Sequence, residues 1–229
     1  MIGNRRITLA RRPDGEVTVD CFTTDEVEIP EPGPGEALVE VGWLSIDPTI
    51  RGWMAMDTYL PAIEIGEPIR SGGLGTVIAS DNDEYPVGST LFGMTGWQEY
   101  AVMGPGSNPI PDGIDPTAAL SVFGVTGLTA YFGLLDVGRP VEGETVLVSG
   151  AAGATGSVAG QIARIKGCRV IGIAGGDEKC NWLREVARFD DVIDYKNDQV
   201  DARIGELCPN KVDVFFDNVG GDILEAALN

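Results

Sequence analysis

Thr145-Val146-Leu147-Val148-Ser149-Gly150-Ala151-Ala152-Gly153-Ala154-Thr155-Gly156 is the stretch that decides the fold. Its first five residues are short and almost wholly apolar, as expected of a strand buried on both faces of a sheet. The turn that follows is AxGxxG in register, with Ala151 where the usual first glycine stands. Over residues 155–166, Val158, Ile162 and Ile165 recur at spacings of four and three, one stripe of an amphipathic helix that Gly167 closes. Strand, glycine turn and helix in that order suit an anion. Small side chains let backbone N–H groups approach a pyrophosphate, and the helix aims the positive end of its dipole at the same place. In a chain with 32 glycines a bare glycine pattern would be weak, and a tight turn without a ligand is the bland alternative.

Working outward toward the C-terminus, residues 169–173 read as a second strand, 177–188 as a second helix, Val192 and Ile193 as a short third strand, and 212–216 as a fourth. That alternation predicts a parallel, doubly wound α/β sheet. An NAD-preferring site would present Asp or Glu at the end of the second strand, to accept from the adenosine ribose hydroxyl. Here the strand ends Ile173-Ala174-Gly175-Gly176, with no carboxylate to repel a 2′-phosphate, and Lys179 follows a turn later. NADP is therefore the expected cofactor. A charge-assisted contact of about 1.5–3 kcal/mol corresponds to roughly a 10- to 100-fold preference. The alternative is that Lys179, beside Asp177 and Glu178, is a solvated helix lysine.

Toward the N-terminus the grammar changes. From residue 1 to about 122, short strands are predicted over 16–22, 36–43, 75–79, 90–94 and 97–102. The linkers 30–35 and 105–111 are broken by prolines, which lack the amide donor and fix φ, so neither can continue a helix or a central strand. This half reads as a small β-rich domain.

Composition excludes several functions. The net charge of −19, from 35 acidic against 16 basic residues, would repel nucleic acid and anionic membranes. Only four lysines are present, and no run of like charge suggests a tail, so the acidity reads as a solvated surface. Cys21, Cys168, Cys180 and Cys208 form no CxxC pair and the N-terminus shows no apolar signal core, so a reducing cytoplasm is the expected address. No 18-residue apolar stretch occurs. The chain has no histidine, which removes the commonest zinc ligand and the commonest general base, and with them Ser-His and Cys-His hydrolysis.

Five segments carry a resemblance: Leu44 through Met54 (LSIDPTIRGWM), Gly96 through Tyr100 (GWQEY), Gly127 through Leu135 (GLTAYFGLL), Gly150 through Ser157 (GAAGATGS) and Phe216 through Gly221 (FDNVGG). Together they resemble the zinc-independent leukotriene/prostaglandin, curcumin and alkenal double-bond reductase group of the medium-chain dehydrogenase/reductase superfamily. The resemblance implies a GroES-like catalytic domain over 1–122 and an NADP-binding Rossmann domain over 123–229, with substrate in a cleft between them. Carried over residue by residue, it makes Gly153, Ala154, Thr155 and Gly156 the phosphate turn and Lys179 and Tyr195 the 2′-phosphate contacts. Asn218 would sit near the cofactor ribose and Thr126 near the nicotinamide. The zinc-dependent cousins hold metal with Cys, His and Glu; the region Ser71 to Gly75 supplies no such ligand here, so no metal is expected.

The implied chemistry is hydride transfer from NADPH to the β-carbon of an α,β-unsaturated ketone or aldehyde, with the protein orienting the nicotinamide and stabilising the developing enolate oxygen. Several relatives carry tyrosine where this chain has Thr49; Tyr59 is a possible substitute as proton donor, unless it only packs in its loop. Arg51 is expected to pair with Asp47 or another local carboxylate. A quinone reductase, a non-catalytic NADP-binding protein and an inactive fragment that oligomerises are the competing readings. The family also implies a homo-oligomer, a dimer. A six-stranded Rossmann sheet needs two strands after Phe216, so the chain reads as lacking the C-terminal part of the domain.

Overall fold

The structure is a computed structural model and describes residues 3–229. The chain divides into two compact units, Met1–Leu120 and Ser121–Asn229. Among the described residues no helix is long and apolar enough to cross a membrane.

The first unit holds β1 (Asn4–Leu9), β2 (Phe22–Val27), β3 (Ala37–Leu44), α1 (Thr49–Ala55), β4 (Gly72–Ser80), β5 (Thr90–Met94), β6 (Tyr100–Met103), β7 (Asn108–Pro109) and α2 (Pro116–Leu120). β1 and β2 form an antiparallel pair, and the other five strands form an antiparallel sheet in the order β6-β3-β4-β5-β7. One core packs Ala37, Val39, Val77, Tyr85, Leu91, Ala101 and Met103; a second gathers Leu9, Cys21, Ile50, Trp53, Met54, Ile63 and Ile69 around α1. The strand expected over 16–22 is not formed. Val17 and Val19 face water, Val19 being 88% exposed, whereas Cys21 is buried, and Arg11 braces the segment in a short 3-10 turn by donating to Asp20 (2.8 Å) and Thr18 (3.1 Å). The strand begins at Phe22 instead.

The second unit opens with α3 (Val125–Phe132), which runs into a π-helical turn at Gly133–Gly138. Then come β8 (Thr145–Val148), α4 (Ala154–Ile165), β9 (Arg169–Ala174), α5 (Asp177–Glu185), β10 (Asp191–Asp194), α6 (Val200–Leu207), β11 (Val214–Phe216) and α7 (Gly221–Leu228). Its four strands are all parallel, in the order β10-β9-β8-β11. Val146 and Val148 face a core closed by α4 and α5 through Ala163, Cys180 and Leu183. Leu147 points to the opposite core, covered by α6 and α7 through Ile204, Ile223 and Ala227. Burial on both faces explains the unbroken apolar run of β8. The expected α/β class with a separate β-rich domain is thus what forms.

α4 corrects one detail. The stripe of Val158, Ile162 and Ile165 is not its buried face, since Ile165 is 84% exposed; the buried positions are Gly156, Ala159, Gly160 and Ala163. The ring of Phe189 occupies the space beside Gly160, where a Cβ would lie 1.9 Å from Cζ. Small residues let this helix approach the sheet closely, which brings its N-terminus directly over the end of β8.

Candidate functional site

The chain leaves β8 for β9 and β10 on one side, then returns to place β11 on the other. The carboxyl ends of β8 and β11 therefore flank a topological switch point, where open α/β sheets bind their ligands. At this point lies the turn Gly150 to Gly156. Gly150 has φ +53°, and a Cβ on it would stand 3.4 Å from both the Asn218 and Val219 side chains. Its carbonyl accepts the Gly153 N–H (2.9 Å), and a Cβ on Gly156 would stand only 2.5 Å from the same oxygen. Gly150 is thus favoured by its left-handed backbone, and Gly156 by the lack of room for a side chain. Gly153 caps α4 with extended backbone and no side-chain bond. The first-turn N–H groups of Ala154, Thr155 and Gly156 are left to an outside acceptor, the arrangement an anion requires.

A polar network that the sequence reading missed braces this turn. Buried Ser149 donates from Oγ to Asp217 Oδ1 (2.6 Å) and accepts the Asn218 N–H (2.7 Å). Asn218 Nδ2 donates to the Ser149 carbonyl (2.8 Å). Asp217 also accepts the N–H groups of Val219 and Gly220. Burial works to raise the Asp217 carboxyl, but the Ser149 hydroxyl and the two amides outweigh it and hold it below the ordinary carboxylate value. Part of the Asn218 amide is therefore committed to the backbone of β8.

The second cluster forms where β9 and β10 end. Lys179 is exposed in α5, with no ion-pair partner among the described residues. The half-exposed Tyr195 lays its ring on Gly175, where a Cβ would sit 2.6 Å from the ring carbons and 2.7 Å from the phenol oxygen. The glycine pair does meet a carboxylate, contrary to the expectation from β9 alone. It comes from the neighbouring strand: Asp194 Oδ1 accepts the N–H groups of Gly176 (2.9 Å) and Lys196 (3.0 Å), and Oδ2 accepts Asn197 Nδ2 (2.7 Å). Asp194 is buried, and those donors, the Gly176 and Lys196 amides first, hold its carboxyl below the ordinary value. Its charge is turned into the backbone. In sequence it was only one acid among 35, marked by nothing but its place after Val192-Ile193.

The remaining candidates make other contacts within their own units. Thr126, partly buried in the first turn of α3, donates to the Ser121 carbonyl (3.1 Å). Tyr59, in the first unit, is 74% exposed and meets Trp53 edge-on at 6.0 Å, while the Arg70 guanidinium lies 5.7 Å over that indole. Arg51 does not pair with Asp47. It donates to the Gly15 carbonyl, because Asp47 is occupied at the start of α1 by the Thr49 amide and hydroxyl. Among the described residues no group of three or more His, Cys, Asp or Glu is disposed to hold a metal ion.

Comparison with known proteins adds to this geometry. Residues 5–110 match a family model described as the N-terminal domain of oxidoreductase, and residues 154–229 one described as zinc-binding dehydrogenase. The chain is 39% identical to the NADPH-dependent curcumin reductase of Escherichia coli, over 98% of this chain and 66% of that protein. It is 36% identical to prostaglandin reductase 1 of Bos taurus, over 100% of this chain and 69% of that protein. The crystal structure of CurA in complex with NADPH from Vibrio vulnificus superposes with a TM-score of 0.93 at 41% identity, covering 98% of this chain and 67% of that one. The chain spans about two thirds of the length of these relatives.

Proposed function

The chain belongs to the medium-chain dehydrogenase/reductase superfamily, in the branch of the curcumin, prostaglandin and alkenal reductases, and from that membership we propose that it is an NADPH-dependent reductase of the carbon–carbon double bond in α,β-unsaturated ketones and aldehydes. The observation that carries the proposal is the likeness to a relative crystallised with NADPH, combined with a helix N-terminus without a side-chain cap, on a turn shaped by the positive φ of Gly150 and the tight packing of Gly156.

Gly153, Ala154, Thr155 and Gly156 would hold the pyrophosphate through backbone N–H groups, and the α4 dipole adds to the attraction. Lys179 and the Tyr195 phenol would take the 2′-phosphate, the lysine as a point charge and the phenol as a neutral donor. Asn218, fixed through its Nδ2 to the end of β8, would present its amide oxygen toward the ribose. Thr126 would approach the nicotinamide. When bound, the reduced nicotinamide supplies the hydride. The return of a proton to the α-carbon would fall to solvent or to the exposed Tyr59 phenol. Substrates are small molecules. A cytosolic address is supported by four buried, unpaired cysteines, and assembly as a homodimer is the family's usual state.

The test is NADPH absorbance decay with but-3-en-2-one, run beside a quinone and beside NADH. Enone-dependent oxidation of NADPH, faster than with either alternative, is expected. A quinone as the only acceptor would replace the substrate class, and nucleotide binding without turnover by any acceptor would reduce the chain to a binding protein.

A further inference from the structure

We propose that Asp194 is the positioning residue that sets the preference for a 2′-phosphate, although its own oxygens bond N–H groups of the chain; this rests on the NADPH reading above. One carboxylate bonds the backbone next to both Lys179 and Tyr195. Through Oδ1 it pins Gly176, the residue on which α5 and therefore Lys179 begins. Gly176 holds φ +90°, a conformation that side-chain-bearing residues rarely adopt, and its N–H would otherwise be free to turn. The same oxygen takes the Lys196 N–H, so the backbone on both sides of Tyr195 is tethered to one side chain. The Asp194 carbonyl accepts the N–H groups of Asn197 and Asp198, which closes the turn, and Tyr195 N–H donates to the Ala174 carbonyl on β9. Ring and helix start are thereby held in register across parallel strands in which Asp194 lies opposite Ala174.

Chemistry explains why an acid can serve beside a phosphate. Two backbone N–H groups and an amide turn their positive ends to its oxygens, so the carboxylate keeps its charge while these donor dipoles oppose its field at the ligand. An acid at the end of β9 would instead face the ribose and favour NAD. Displaced by one strand, the same residue type acts in the opposite sense.

The experiment is calorimetric titration of the purified chain with NADPH, NADH, 2′,5′-ADP and 5′-AMP, for wild type, Asp194→Ala, Asp194→Asn and Asn197→Ala. Asp194→Ala is expected to lower the NADPH-over-NADH preference about tenfold, with a parallel fall for 2′,5′-ADP over 5′-AMP. Asp194→Asn should keep the preference to within about twofold, because its amide oxygen still accepts both N–H groups and exposed Asn197 can turn its own amide to match. Asn197→Ala, which frees Oδ2 at an exposed site, should cost roughly two- to threefold in the same ratio. It carries the test should Asp194→Ala fail to fold. An unchanged ratio in Asp194→Ala or Asn197→Ala, or a loss in Asp194→Asn as large as in Asp194→Ala, would overturn the proposal while leaving the NADPH reading intact. Wild type that binds neither dinucleotide would overturn both.

Discussion

Ser149 donates a 2.6 Å hydrogen bond to Asp217, joining the last residue before the glycine turn to the loop that leaves β11. The serine is fully buried, and its oxygen also accepts the Asn218 N–H. Ser149→Ala would strand that N–H and remove one donor from the carboxylate. A stability loss of about 1–3 kcal/mol is expected from chemical unfolding, with weaker NADPH binding because Asn218 loses its backbone tie to the Ser149 hydroxyl and keeps only the bond from Nδ2 to the Ser149 carbonyl. Wild-type stability in the variant would show that the network is incidental to the fold.

Lys179 is the exposed cation with which a 2′-phosphate would be read, and it has no ion-pair partner among the described residues. Lys179→Met should weaken NADPH binding by roughly 10- to 100-fold and leave NADH nearly unchanged. Equal losses for the two nucleotides would assign the lysine a structural role instead. Stability should not move, because the side chain buries nothing.

The glycine turn and the doubly wound sheet were legible in the sequence because burial on both faces leaves β8 no choice but an apolar run, and because a positive φ favours Gly150 and close approach forces Gly156. The sites that failed were those where pattern and burial part company. Residues 16–22 alternate like a strand yet have no sheet to face, and β1 went unseen because Arg5 and Arg6 interrupt its apolar residues. The face of α4 was misassigned because its stripe is made of glycine and alanine, which hydrophobicity ranks low but Phe189 requires. Ser149, Asp194 and Asp217 could not be singled out, since their roles arise from strands that are neighbours in the sheet and 18 to 69 residues apart in the chain.

Tyr59 is exposed and its ring contact with Trp53 does not need the hydroxyl. Tyr59→Phe therefore keeps the fold and isolates the phenol. If the phenol returns the proton, kcat should fall by a factor on the order of 100 with the KM for NADPH unaltered. An unchanged kcat, together with a solvent isotope effect, would assign the proton to water.

Two glycines of α4 separate packing from ligand binding. Gly160→Ala drives a Cβ into the Phe189 ring, and Gly156→Ala drives one toward the Gly150 carbonyl. Both should destabilise by about 1–3 kcal/mol, the usual cost of overpacking. Only Gly156→Ala should also weaken NADPH binding in the folded protein, because the displaced carbonyl belongs to the turn proposed to hold the pyrophosphate. Equal effects on binding would mean that the turn is not where the nucleotide sits.

Acid should expose the role of Asp217. Its carboxyl is held below the ordinary value, burial being outweighed by the Ser149 hydroxyl and the Val219 and Gly220 amides, so the folded chain binds this proton less readily than the unfolded one. Such a group favours folding above its unfolded pKa, about 4, and its contribution fades as pH falls through that value toward the lower folded one. Asp217→Asn keeps an oxygen for Ser149 and the amides but cannot ionise. The variant should melt below wild type at pH 7, and the gap should close as the pH is lowered from 5 toward the acid limit of folding. A gap that stays constant or widens would mean that the ionised form of Asp217 is not what tightens the β8–β11 junction.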